Sequence, residues 1–242
     1  QSDERSEHSM KAAIIIFPGS NRERDMVMAL ESSLNEAPIE VWHGDIEMPK
    51  VDLIVLPGGF SYGDYLRSGA MAAHSPIISE VKRQAERGVY VLGVCNGFQI
   101  LTETKLLPGA LMRNANLKFI CKDIYLKVER ADTIFAQSYN VNDIIRVPVA
   151  HHDGNYFADT ETLKILENEG RIAFRYCGPE GEIDEAHNLN GSQNNIAGIY
   201  SEHGKILGMM PHPERAVESM LGGTGGRPMF AGISAGLKSL LA

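Results

Sequence analysis

No stretch of this sequence stays apolar long enough to cross a bilayer. The longest runs, residues 53–60 and 89–94, fall far below the roughly 20 residues a membrane-spanning helix requires. Dense lysine and arginine tracts are missing too. The 23 basic residues are outnumbered by 31 acidic ones, giving a net charge of −8, which argues against a nucleic-acid or anionic-membrane surface. Cysteine is scarce: Cys95, Cys121 and Cys177 form neither an even disulfide set nor a Cys-x-x-Cys metal pattern, so a reducing, cytoplasmic setting is expected. The opening residues hold no charged segment followed by an apolar one, and no secretory signal is expected. There is no G-x-x-x-x-G-K-[ST] phosphate loop, so the chain is not expected to carry out phosphoryl chemistry itself. No repeat or linker divides it, and 242 residues with 43% hydrophobic content suffice for a single substantial core.

What is present is an alternation of short apolar runs with amphipathic segments. Residues 1–9 are polar and are read as a disordered or foreign extension, leaving 10–242 as one domain. Residues 11–17 predict a buried strand, ended by Pro18-Gly19-Ser20-Asn21, and a helix follows to about Leu34. That turn hints at a phosphate loop, but its glycine spacing fits an ordinary strand-to-helix turn better. Residues 40–42 and 52–56 predict two more strands, the second running into Pro57-Gly58-Gly59 and a third glycine at Gly63. So many glycines leave backbone N–H groups free to approach a ligand, although a plain surface turn would read the same way. A helix is expected over 76–87, opened by Pro76 and stopped by Gly88. Further strands are expected at 124–128, 144–149, 173–176, 196–200 and 206–210, with a closing helix over 229–241. Strands alternating with helices over the first half predict an α/β fold: an open, mostly parallel, flavodoxin-like sheet with helices on both faces.

Residues 89–101 concentrate the chemistry. A β-branched strand over 89–94 breaks at Cys95 and becomes a helix by Phe98, with Gly93 and Gly97 bracketing the thiol as G-x-C-x-G. This is the thiol counterpart of a nucleophile elbow, where small flanking residues keep the approach to the nucleophile open. A thiol at the first turn of a helix faces the positive end of the helix dipole, which favours the thiolate. The backbone N–H of Asn96 is unpaired in the helix and can serve a developing oxyanion. Buried, inert packing is the competing reading of any cysteine.

Pro211-His212-Pro213-Glu214 ends the last strand. Pro213 pushes His212 into an extended conformation, and in an extended segment residues two apart face the same way, so His212 and Glu214 are expected on one side. A carboxylate beside a histidine selects its tautomer and supports its charged form. Cys95, His212 and Glu214 thus form a nucleophile, base and orienter at the carboxyl edge of the sheet, suited to acyl transfer through a thioester. The pair His151-His152 invites a metal, but neighbours on a strand face opposite sides and no third ligand sits at a usual spacing, so no metal site is expected.

G-V-C-N-G-F-Q (93–99) with His212-Pro213-Glu214 resembles the signature of class I glutamine amidotransferases. The runs P-G-G-F-S-Y-G-D-Y-L-R (57–67), G-V-C-N-G-F-Q-I-L (93–101), G-M-M-P-H-P-E-R (208–215) and F-P-G-S-N (17–21) resemble, more narrowly, the glutaminase subunits of phosphoribosylformylglycinamidine synthases. The resemblance runs from Met10 to the C-terminus. It implies that Cys95 attacks the side-chain amide of glutamine, releasing ammonia and leaving a glutamyl thioester. It also implies Gly59 and Asn96 as backbone oxyanion donors and Gln99 as a substrate contact. It implies no cofactor in this chain. A partner synthetase subunit would use ATP and magnesium to convert formylglycinamide ribonucleotide to formylglycinamidine ribonucleotide in purine biosynthesis, with a third small subunit in many bacteria. Two alternatives are a peptidase-like or chaperone-like relative with a cysteine elbow, against which His212-Pro213-Glu214 argues, and a non-catalytic regulatory module.

Overall fold

The computed structural model describes residues 9–20, 23–59, 69–221 and 223–241. In chain order these form β1 (Ala12–Ile16), α1 (Glu23–Leu34), β2 (Ile39–Trp42), β3 (Leu53–Leu56), α2 (Ile77–Glu86), β4 (Tyr90–Val94) and α3 (Asn96–Glu103). There follow β5 (Ala110–Met112), β6 (Ile120–Val128), β7 (Ile144–His151), β8 (Asn155–Phe157), α4 (Thr160–Asn168), β9 (Ile172–Cys177), β10 (Ile196–Tyr200), β11 (Ile206–Met209) and α5 (Arg227–Leu241). The expected extension falls almost wholly outside the described residues, as do Asn21 and residues 60–67.

Among the described residues, nine strands make one sheet in the order β2-β1-β3-β4-β11-β10-β9-β6-β7. Every pairing from β2 to β11 is parallel, and every pairing from β11 to β7 is antiparallel. The expected open α/β sheet therefore has a five-stranded parallel half, which carries the site, and an antiparallel wing. β5 and β8 pair separately as a small antiparallel ribbon. The central strands are apolar on both faces because both faces are covered: Leu53, Ile54, Val55 and Leu56 of β3 are all fully buried. Each such side chain contributes roughly 1.5–3 kcal/mol of gross burial. No helix among the described residues is long and apolar enough to cross a membrane.

Departures from the sequence reading have local causes. β6 begins at Ile120 rather than 124, and β7 runs on to His151 rather than ending at 149, because these segments pair with each other from Ile120↔His151 onward. Cys121, Lys122 and Asp123 face solvent there, so the paired stretch carries no apolar alternation to read. α4 was not anticipated: only Leu166 is buried in it, and the periodic signal is correspondingly faint. Its readable mark is Asp159, whose side chain caps the helix by accepting from Thr162 N–H at 2.7 Å.

Gly93 and Gly97 also have a packing task that the sequence reading did not foresee. A side chain at Gly97 would run into the Leu56 carbonyl, and one at Gly93 would meet Leu101 and the Gly97 backbone. They let α3 lie flat against β3 and β4 and set the direction in which Cys95 projects; the packing requires them, independently of access to the thiol. Gly97→Ala is expected to cost about 2–3 kcal/mol as overpacking, more than alanine's helix propensity returns. Urea unfolding of the variant would measure this.

Candidate active site

β3, β4 and β11 are parallel neighbours, with Leu56 opposite Gly93 and Val94 opposite Met209. Their carboxyl ends emerge side by side, and each continues into a site residue predicted from sequence: Gly58 and Gly59 after β3, Cys95 after β4, His212 after β11. Residues 117 apart in the chain thus meet because of strand order alone (212 − 95).

Cys95 caps α3 with φ 52° and ψ −107°, a left-handed conformation that L residues rarely adopt and that costs of order 1–3 kcal/mol. Its N–H donates to the Met209 carbonyl at 2.8 Å, locking the bend to β11. The thiol donates to the Ala150 carbonyl at 3.5 Å, and the His212 imidazole stands beside it: a Cβ on Gly58 would meet both. His212 Nδ1 is 2.6 Å from Glu214 Oε1, both side chains essentially without solvent exposure, which leaves the other ring nitrogen for the sulfur. The base is held from outside its own strand as well, since the His212 N–H donates to the Pro148 carbonyl of β7 at 2.9 Å.

The route by which His212 and Glu214 meet differs from the expected extended segment. Pro213–Arg215 is a turn of 3-10 helix with His212 at its cap. Proline at the first position suits such a turn, and the tight winding brings Glu214 back onto the imidazole.

Burial alone would push His212 down, but the Glu214 carboxylate and the Cys95 sulfur outweigh it and raise the imidazole from 6.5 to about 10. At neutral pH the ring is charged and can act as an acid. His151 is the opposite case: burial, with the neighbouring His212 adding to it, lowers it to about 4 and keeps it neutral.

Gly58 presses against both His212 and Cys95. A side chain there would stand 2.6 Å from His212 Cε1 and 3.4 Å from Cys95 Cβ. Gly59 follows with φ 126°, open essentially to glycine alone, and so sits one residue from the triad. Asn96 and Gln99 are both buried on the first turn of α3. The Gln99 carboxamide is engaged at both ends, accepting from Asn96 Nδ2 and donating to the Asp153 carbonyl, each at 2.8 Å. Sequence reasoning overlooked the Ala150 carbonyl as the thiol's neighbour and Asn114 altogether. Over residues 150–156 the sequence reading weighed the paired histidines, and weighed them as metal ligands.

A buried Cys–His–Glu constellation on a strand-to-helix bend of an open α/β sheet is the arrangement of a glutamine amidotransferase. A family model described as a CobB/CobQ-like glutamine amidotransferase domain matches residues 9–223. The chain is 60% identical over 225 residues to the phosphoribosylformylglycinamidine synthase subunit PurQ of Rhodopseudomonas palustris (strain BisB18), covering 93% of this chain and 97% of that one. It is 60% identical, over 93% and 98% of the two chains, to the PurQ subunit of Rhodospirillum rubrum. Among solved structures, a chain in the structure of PurLQS from Thermotoga maritima matches with a TM-score of 0.81 at 41% identity, covering 95% of this chain and 99% of that one. The chain belongs to the PurQ family of phosphoribosylformylglycinamidine synthase subunits.

Proposed function

We propose that the chain is the glutaminase of a phosphoribosylformylglycinamidine synthase and passes ammonia to a synthetase subunit. The observation that carries the reading is a buried imidazole held by Glu214 at 2.6 Å and placed beside Cys95 around Gly58. In the forward step the Cys95 sulfur attacks the carboxamide carbon of glutamine. The oxyanion is taken by the backbone N–H groups of Gly59 and Asn96. The charged His212 gives its proton to the departing nitrogen, and ammonia leaves a glutamyl thioester. Once the sulfur is acylated, one of the two groups that raised the imidazole is gone. His212, left neutral by giving up its proton, then takes one from the water that releases glutamate. Glu214 keeps the ring in one orientation through both steps.

This chemistry uses no cofactor in the chain itself. ATP and magnesium belong to the partner, which activates formylglycinamide ribonucleotide for attack by ammonia, with a third small subunit completing the complex. The setting is cytoplasmic, as the free Cys95, Cys121 and Cys177 suggest. Ammonia made without an acceptor is lost, so docking should control turnover. Gly58 is the position suited to relay docking, because it lies against both the His212 ring and Cys95. The isolated chain is expected to hydrolyse glutamine slowly and to accelerate when its synthetase docks. Steady-state glutaminase assays with and without the purified partner measure this; equal rates would remove the control, and no glutamine hydrolysis in either state would remove the assignment.

A further inference from the structure

Asn114, between β5 and β6, is fully buried, and its side chain makes four hydrogen bonds. Nδ2 donates to the carbonyls of His151 and Lys118, each at 2.8 Å. Oδ1 accepts from the Gly154 N–H and meets His151 Nδ1, each at 3.0 Å. A carboxamide offers two donor hydrogens and two acceptor sites, so this set exhausts it. The orientation cannot be reversed either, since a reversal would aim an oxygen at two carbonyls and an NH2 group at a backbone N–H. His151 Nδ1 must therefore carry the hydrogen, which fixes the neutral ring in one tautomer. The backbone N–H of Asn114 also donates to the His152 carbonyl at 2.8 Å. One residue thus grips positions 151, 152 and 154.

The residues between and beside those positions are the ones that face the chemistry. Ala150 offers its carbonyl to the Cys95 thiol, and Asp153 offers its carbonyl to Gln99. Gly154 has no room for a side chain against the His151 ring, so turn and imidazole interlock. None of Asn114's four side-chain bonds reaches the thiol, His212 or Glu214 directly.

We propose that Asn114 is a positioning residue of the glutaminase site: through His151 and Gly154 it sets where the Ala150 and Asp153 carbonyls meet Cys95 and Gln99. The proposal rests on the glutaminase reading above. Its signature is weakened recognition of glutamine, because release of the Asp153 carbonyl frees the Gln99 carboxamide to swing. His151 stays uncharged beside the charged His212, and its share of the work is mechanical.

The test uses the complex reconstituted with its synthetase and measures glutamine-dependent and ammonia-dependent synthesis side by side. Asn114→Ala is expected to raise KM for glutamine by about 10–100-fold, the scale of a misplacement of order 1 Å, with kcat changed far less. Ammonia-dependent synthesis should stay at the parental rate. His151→Phe, which keeps the ring volume but loses the hydrogen bond to Asn114, should give the same KM rise. The double variant Asn114→Ala/His151→Phe should be no worse than either single one. A parental KM with only kcat reduced would overturn the proposal, as would additive effects of the two substitutions. If Asn114→Ala does not fold, His151→Phe decides, and a parental KM there overturns it equally. Absence of glutaminase activity in the parent complex would instead count against the underlying assignment.

Discussion

Cys95→Ala will abolish glutamine-dependent synthesis while leaving ammonia-dependent synthesis at the parental rate. Without the sulfur no thioester forms, and loss of a nucleophile that acts as a unit with its base costs about 10⁶-fold in kcat. The substitution is small, removes one buried atom at a bend already held by the Met209 carbonyl, and leaves the sheet edge intact. The partner's chemistry does not pass through this residue, so ammonia supplied at alkaline pH should still be incorporated. Parallel assays of the reconstituted complex with glutamine and with ammonium salt give the answer directly. Retained glutamine-dependent turnover would mean that Cys95 is not the nucleophile, and loss of both activities would mean that it serves the complex in some other way. The same variant withdraws one of the two groups that raise His212, so the imidazole should titrate below its parental value of about 10.

Glu214→Gln is expected to be nearly as damaging, by about 10⁴-fold in kcat/KM, as for the loss of an orienting carboxylate in a triad. Glu214 is buried and gives Oε1 to His212, while its Oε2 has no hydrogen-bond partner among the described residues. Its contribution is therefore concentrated on one imidazole. With the charge gone, burial dominates and His212 falls, so the acid needed for the departing ammonia is no longer there at neutral pH. The sign of the stability effect follows from the same shift. His212 is raised in the folded chain, so it binds protons there more tightly than in the unfolded chain. It stabilises the parent fully below about 6.5, and that contribution is lost as pH rises through about 10. Urea unfolding of parent and Glu214→Gln between pH 6 and 10 should show the parent weakening with pH and the variant much less so. Glutaminase activity within tenfold of the parent, or identical pH slopes, would argue against Glu214 as the support of the imidazole.

How much of this could be read in the chain alone depended on whether the signal was local. The apolar runs of β1, β3, β4, β10 and β11 carry their own evidence, because a strand buried on both faces must be apolar throughout. The strained bend at Cys95 announced itself by a β-branched run that changes period at a cysteine, and Pro211-His212-Pro213-Glu214 by prolines that restrict the backbone. Where burial was partial the reading failed: α4 buries only Leu166, and the first half of β6 faces solvent. The motif around Cys95 was recognised while the packing task of its glycines was not, since only the packed sheet shows Leu56 lying against Gly97.

The sequence by itself singled out Cys95, His212 and Glu214 and the bend that presents the sulfur, because each is written in a few consecutive residues. Only the tertiary structure decided their meeting. Strand order puts β3, β4 and β11 side by side, and the antiparallel wing brings β7, at the far edge of the sheet, back onto His212 and Cys95 through the Pro148 and Ala150 carbonyls. Backbone carbonyls carry no side-chain signature, and three of Asn114's four side-chain bonds go to His151 and Gly154, remote in the chain. Such contacts depend on the closure of the whole sheet, which no local pattern encodes.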